Sequence, residues 1–306
     1  MKTYFFIAAT ILFRLHTLAC DVCGCSLGAF SQGIIPDYTS HFIGLRYNLA
    51  QFKAEVDHGL NGNTEFSYDK YHRLEMTGRY NATEKLKVNF FIPYVVNQMN
   101  SSEQSFSKSG IGDPLILFNY KFFKSEMELS KHYLTAGAGI KFPMGKSNMT
   151  DNEELLNRNF QPGSGSFDLL VMANYYLRKN KLGLVLESAY KMNTEAKSGY
   201  RFGNQFNFST NLNYRIEQKK INWLAYSGFY FEQASRHNEN EKPVFNTGGY
   251  GIYANAGLQF YISRLRLSAG IQAPVYQHFY TDNLTTLNSK MRVNTDLIIF
   301  IGKKEK

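Results

Sequence analysis

From residue 40 onward the chain repeats one arrangement. Segments of roughly ten residues alternate apolar and polar side chains with period two, and the connections between them are short and long by turns. In residues 264–275 the odd positions are Leu265, Leu267, Ala269, Ile271, Ala273 and Val275, set against Arg266, Ser268, Gly270 and Gln272. In residues 250–260 the even positions Tyr250, Ile252, Ala254, Ala256, Leu258 and Phe260 alternate with Gly251, Asn255, Gly257 and Gln259. In residues 207–215, Phe208, Thr210, Leu212 and Tyr214 alternate with Asn207 and Ser209. A helix would scatter these side chains around its axis; an extended strand sends one set to each face.

Twelve such segments are readable, near 40–56, 70–82, 85–97, 113–123, 132–143, 166–178, 182–194, 201–216, 221–234, 249–263, 265–278 and 290–302. The connections near 82–85, 178–182, 216–221 and 263–265 are a few residues long, with 123–132 somewhat longer. Those near 57–69, 97–112, 144–165, 194–201, 234–249 and 278–290 are mostly long and polar. A soluble sandwich has no reason to sort its loops this way, whereas a transmembrane up-and-down antiparallel β-barrel has short turns on the periplasmic side and long loops outside. Closing the sheet also removes the strand edges that lipid does not tolerate. An even number of strands that starts in the periplasm returns the C-terminus there, so both termini are expected to be periplasmic.

Residues 1–19 carry Lys2, the apolar run Tyr4 to Phe13 and a small-residue exit at Thr17-Leu18-Ala19, which reads as a signal peptide. The run is too short to cross a hydrocarbon layer of about 30 Å as a helix. The expected organisation is therefore a signal peptide at 1–19, a cysteine-containing periplasmic segment at 20–39 and an outer-membrane barrel at 40–303. Hydrophobic residues make up 43% of the chain, yet no window reaches the roughly eighteen apolar residues of a membrane helix. With 21 Tyr and 25 Phe against 1 Trp, that apolar content fits many short strands with aromatic ends. Removal of residues 1–19 takes away Lys2 and Arg14 and no acid, which leaves 32 basic residues against 25 acidic ones and a charge of +7. The basic residues are scattered, so nucleic acid is not an expected partner; outer-membrane lipid and small solutes are.

Arg46, Arg73, Glu75, Arg79, Lys141, Glu187, Arg215 and Glu232 fall on positions opposite the apolar ones and are the candidate lumen residues. Facing a lumen they would brace one another or filter solutes, and Phe91 or the 20–39 segment could plug it. All 3 cysteines, Cys20, Cys23 and Cys25, lie within Cys20-Asp21-Val22-Cys23-Gly24-Cys25. Three readings stand side by side: lipidation of Cys20 after a loose lipobox, thiolate binding of a soft ion such as copper or zinc, and oxidation to a disulfide. No enzyme is expected. The histidines after residue 19, namely His41, His58, His72, His132, His237 and His278, stand beside no serine in a recognisable hydrolase motif, and Gly163-Ser164-Gly165-Ser166 lacks the strand–elbow–helix setting of a nucleophile.

Five stretches add a resemblance. Gly110-Ile111-Gly112-Asp113 opens one strand and Gly139-Ile140-Lys141-Phe142-Pro143-Met144-Gly145-Lys146 closes the next. Gln161-Pro162-Gly163-Ser164-Gly165-Ser166 with Asp168 opens another; Asn246-Thr247-Gly248-Gly249 and Gln272-Ala273-Pro274-Val275-Tyr276-Gln277 follow in order. As a set they resemble the transporter-like outer-membrane barrel family named after the meta-pathway of phenol degradation. Each stretch read by itself is strand-end punctuation, with Asp113 and Asp168 placed to cap neighbouring amides. The resemblance implies an outer-membrane barrel that passes small solutes passively; it supplies no substrate and no catalytic residue. The alternative is a metal-handling or assembly protein, in which the cysteine segment binds a soft metal or a periplasmic partner and the barrel is its anchor.

Overall fold

The computed structural model describes residues 40–57, 64–102, 104–151, 153–218 and 221–302. They form a closed antiparallel barrel of twelve strands. The strands are β1 (His41–Val56), β2 (Glu65–Asn81), β3 (Leu86–Ser101), β4 (Leu115–Met127), β5 (Ser130–Lys141), β6 (Asp168–Lys179), β7 (Leu182–Asn193), β8 (Gln205–Ile216), β9 (Asn222–Ala234), β10 (Gly249–Ile262), β11 (Leu265–Phe279) and β12 (Arg292–Ile301). Each pairs with its sequence neighbour, and β1 closes the ring by pairing with both β2 and β12. No backbone edge is then left for lipid to solvate.

The strand alternation resolves into two faces. Leu45, Met76, Ile92, Leu267 and Leu297 lie in one row across neighbouring strands, β1 lying between β12 and β2, and all point outward. Their exposure in the isolated chain is what a lipid-facing band requires. The inward set is largely buried, because side chains from opposite walls fill much of the interior. Glycines make room for them. At Gly137 on β5 a Cβ would lie 2.0 Å from the Asn119 amide oxygen and 2.7 Å from the Phe118 carbonyl, so the Asn119 side chain rests flat on the neighbouring strand only because Gly137 has none.

Most boundaries fall where the alternation placed them; the start of β2, the end of β3, the end of β4 and the start of β8 are four or five residues away. β2 starts at Glu65, ahead of the expected 70, so the first long connection is shorter than expected. The connection expected at 123–132 is a tight turn at Glu128 and Leu129, since β4 runs on to Met127 and β5 begins at Ser130. The reason is a bulge between Lys121 and Phe123. One extra residue reverses the parity of everything after it, so Phe122 and Phe123 both face outward and the period-two pattern breaks while the strand continues.

The wall is uneven in height. β1, β2 and β3 have 16, 17 and 16 residues, against 12 in each of β6, β7 and β8. Two further segments extend the tall side: Ser105–Ile111 pairs with β3 and is separated from β4 by Gly112-Asp113-Pro114, and Thr285–Ser289 pairs with β1 and is separated from β12 by Lys290-Met291. Outward positions up here include Gln51, Lys53, Glu55, Lys70, Gln98 and Asn100, mostly polar where the band below is apolar, with Phe66 and Tyr68 among them.

Candidate functional site

The inward face is divided into sectors. At the seam where the ring closes, Arg46 on β1 stands in register between Glu75 on β2 and Asp296 on β12. Its guanidinium is 3.7 Å from Glu75, Arg73 donates to the other Glu75 oxygen at 2.8 Å, and Arg266 on β11 donates to Asp296 at 2.9 Å. The seam therefore carries a charge ladder of alternating sign, the pairing that neighbouring strands favour. Arg79 lies below it, donating to Asn89 at 3.0 Å with its guanidinium 4.8 Å from the Phe42 ring centre.

A second cluster joins three of the glycine-rich stretches. Asp113, in the break before β4, accepts from the Lys141 ammonium at 2.9 Å, the Ser164 amide and hydroxyl at 2.8 Å each, and the Gly145 amide at 2.9 Å. Lys141 also reaches Ser164 and lies 2.5 Å from Asp168, which accepts from Ser166 at 2.9 Å and caps the Thr194 amide at 3.3 Å. The long 142–167 connection is thereby tied to the wall. The cluster is a latch: Asp113 and Asp168 hold backbone amides, serine hydroxyls and the Lys141 ammonium.

That connection folds into the mouth on the tall side. Its 3-10 turn, Arg158–Phe160, drives Phe160 to complete burial, stacked on Tyr71 at 5.3 Å and 25° and edge-on to Phe106 at 5.0 Å. Asn97 donates to the Phe160 carbonyl at 3.1 Å, and the Gln161 amide accepts from Met149 N–H and donates to the Met149 and Leu156 carbonyls. Phe52, Met99, Phe279 and Leu287 complete an apolar cup around the ring. Further down, Phe91, Leu115, Leu117, Leu170, Met172 and Ala189 make a second apolar sector on β3 to β7. Phe91 does point into the lumen, as part of this sector.

Beside them β8 presents Gln205, Asn207, Ser209, Asn211 and Asn213 inward, an unbroken polar run. Across β9, β10 and β12 a strut crosses the interior. Arg292 grips Glu232 with two bonds of 2.8 and 2.7 Å, donates to the Tyr253 hydroxyl at 2.6 Å, and lies 4.0 Å from the Tyr253 ring centre.

All of the lumen candidates read from the sequence occupy inward positions, but they do not form one ring. Arg46, Arg73 and Glu75 share the seam, Lys141 is in the latch, Glu232 is in the strut, and Glu187 is buried on β7 opposite Asn174 and Ser209. Arg215, at the short-turn end, is 3.3 Å from Glu217. Of their partners, Asp113 and Asp168 were read from the sequence as caps for backbone amides and not as inward charges; Arg266, Arg292 and Asp296 were not singled out, although Arg292 and Asp296 share the inward parity of their segment.

Cys20, Cys23 and Cys25, the expected signal peptide and the rest of the 20–39 segment lie outside the described residues. Among the described residues no group of three His, Cys, Asp or Glu is placed to hold a metal ion. One contact departs from the sequence reading: His132 is 2.9 Å from the Ser130 hydroxyl and 2.8 Å from the Tyr175 hydroxyl, on the outward face at the short-turn end. Residues two apart on a strand share a face, so the pair was readable from its spacing. A cleft of about 620 Å³ opens beside Lys70, Gln98 and Phe106 on the tall wall, away from the candidates named above.

Residues 44–284 match the model of the family described as "Putative MetA-pathway of phenol degradation". No curated protein matches the chain. Among solved structures, an outer-membrane channel from Pseudomonas putida F1 is similar with a TM-score of 0.60 at 12% identity, over 86% of this chain and 96% of that one. The β domain of the Bordetella autotransporter BrkA is similar with a TM-score of 0.50 at 7% identity, over 86% of this chain and all of that one (100%). One is a channel and the other an autotransporter domain, so these likenesses speak to the fold.

Proposed function

The chain belongs to that phenol-degradation family of outer-membrane barrels, and from this premise we propose that it is a passive channel for small solutes across the outer membrane. The observation that carries the reading is the interior. A barrel that serves only as an anchor needs a filled core of any kind, whereas this one sorts its interior into an apolar sector on β3 to β7 and a neutral polar run on β8. Such a lining fits small solutes with apolar surface and a few hydrogen-bonding groups. The outer-membrane channel from Pseudomonas putida F1, similar in fold, supports the same reading.

Both termini face the periplasm in this reading, and the 142–167 connection narrows the outer mouth. The test is solute-driven swelling of liposomes that hold the refolded barrel. Swelling with small neutral solutes, falling off as solute size rises, is expected. Permeability equal to that of protein-free liposomes for every solute would overturn the proposal.

A further inference from the structure

Two tyrosines mark where the apolar band ends on the tall side. Tyr47 on β1, Leu74 on β2 and Tyr94 on β3 share one outward row. Both phenols reach into the next row up, Tyr47 bonded to the His72 ring at 2.8 Å and Tyr94 donating to the Ser109 hydroxyl at 3.2 Å. Rings on the apolar side with their hydroxyls turned away from it are how aromatic residues sit at a membrane–water boundary. The outward row four residues above Tyr47 is Lys290, Gln51, Lys70, Gln98 and Ser107. Four residues of strand rise about 13 Å, or about 10 Å along the barrel axis at a tilt of about 40°. That height is level with lipid headgroups, above the acyl chains.

Lys70 and Lys290 are exposed and stand two strands apart with Gln51 between them, a backbone separation of about 10 Å. The row above is Asn288, Lys53, Tyr68, Asn100 and Ser105. Neither row carries a carboxylate, and Glu55, one row higher on β1, is held by Lys53 at 2.7 Å. Tyr68 is 51% exposed. The cleft of about 620 Å³ opens at these two rows, with Tyr68, Lys70, Gln98, Asn100, Ser105 and Ser107 among the residues that line it. An ammonium binds phosphate, amides and hydroxyls bind sugar hydroxyls, and an exposed aromatic ring receives the C–H face of a sugar. A wall that meets only acyl chains needs none of these groups.

We propose that this face docks the phosphorylated sugar headgroup of an outer-leaflet glycolipid. Lys70 and Lys290 hold phosphate, the amides of Gln51, Gln98 and Asn100 take sugar hydroxyls, and a sugar ring lies on Tyr68. The acyl chains of the same lipid continue down the apolar band past Tyr47 and Tyr94, so the site is continuous with the lipid-facing surface below it. Headgroup and chains are met in the order in which the wall presents polar and apolar rows. The docking takes from the channel reading only its orientation, with the long connections outside.

The test is equilibrium binding to the refolded full-length barrel in neutral detergent micelles, by thermophoresis of the labelled protein. The probes are deep-rough lipopolysaccharide, the same lipid stripped of its phosphates, and phosphatidylglycerol. Lipopolysaccharide is expected to bind at least roughly tenfold tighter than either of the others. Lys70→Gln and Lys290→Gln should each weaken it by about fivefold. Tyr68→Ala should weaken the phosphorylated and stripped lipids by the same factor, and Lys181→Gln, at the short-turn end, should change neither. All four side chains are exposed, so each variant is expected to fold, which the gel shift between folded and heated protein checks. Phosphatidylglycerol binding as tightly as lipopolysaccharide overturns the proposal and leaves an unselective anionic-lipid surface. Stripped lipid binding as tightly overturns it in favour of a neutral glycan, and affinity unmoved by Lys70→Gln and Tyr68→Ala places the lipid elsewhere. Lipopolysaccharide binding in a barrel that passes no solute leaves this site standing and removes the channel, and flux without that binding does the reverse.

Discussion

Removing the Glu232 carboxylate tests whether the strut across β9 to β12 holds the barrel closed. Arg292 and Glu232 are 4% and 1% exposed, and two bonds of 2.7 and 2.8 Å leave the guanidinium matched to both carboxylate oxygens. Glu232→Ala strands a buried cation that retains only the Tyr253 hydroxyl at 2.6 Å and Ser289 at 3.3 Å. Breaking a buried pair by deleting one partner costs about 3–5 kcal/mol, most of it the uncompensated charge. Replacing both partners, as Glu232→Leu with Arg292→Met, removes the charge altogether and should recover most of that loss.

The assay is urea unfolding from lipid vesicles, followed by the band shift between folded and heat-unfolded protein on gels. The chain has 1 Trp, and the strand parity turns Trp223 outward on β9, so its emission gives a second probe. A single-variant loss below about 0.5 kcal/mol, the range of an ordinary surface change, would show that water solvates Arg292 and that the strut carries no load.

Other expectations follow from the same structure. Leu45→Arg places a charge in the lipid-facing row and should cost about 2–4 kcal/mol in the same unfolding assay, as expected near the bilayer midplane. In the connection after β9, His237 is held by the Tyr200 hydroxyl at 2.7 Å and its pKa is pushed from 6.5 down to about 3, by burial first and by Lys191 second. Because the folded state refuses a proton that the opened loop accepts, loop stability is full above about pH 6.5 and falls as pH drops toward 3. Protease cutting within 235–248 should therefore rise on acidification, and His237→Gln should flatten the rise. An epitope inserted at Glu241 should bind antibody on intact cells while a C-terminal one does not; the opposite pattern would invert the orientation proposed above.

The fold was legible because its signal is repeated. Leu265 to Val275 or Tyr250 to Phe260 each show the alternation alone, and the sorted loops turn a set of strands into a barrel. What stayed hidden depends on a single residue or on contact across the lumen. The Lys121–Phe123 bulge hid the end of β4, since one inserted residue inverts every later position. Glu232 was identifiable as inward-facing, but its partner Arg292 is 60 residues away and is brought near only by the closed ring. The apolar half of the lumen beyond Phe91 was missed for a related reason: Leu117 and Leu170 alternate with outward residues that are also apolar, such as Phe118 and Leu169, so no contrast marks which face is which. The glycine-rich stretches were read as separate punctuation, whereas Asp113, Lys141 and Ser164 assemble them into one latch.

The central claim is a path through the barrel that the 142–167 connection narrows at Phe160. Its most direct test is the ionic current through planar bilayers holding the unaltered protein, beside Phe160→Ala. Discrete current steps that grow with salt concentration are expected from the unaltered barrel, with larger steps once the Phe160 ring is removed. Folded protein that inserts but stays silent in both forms would contradict the account.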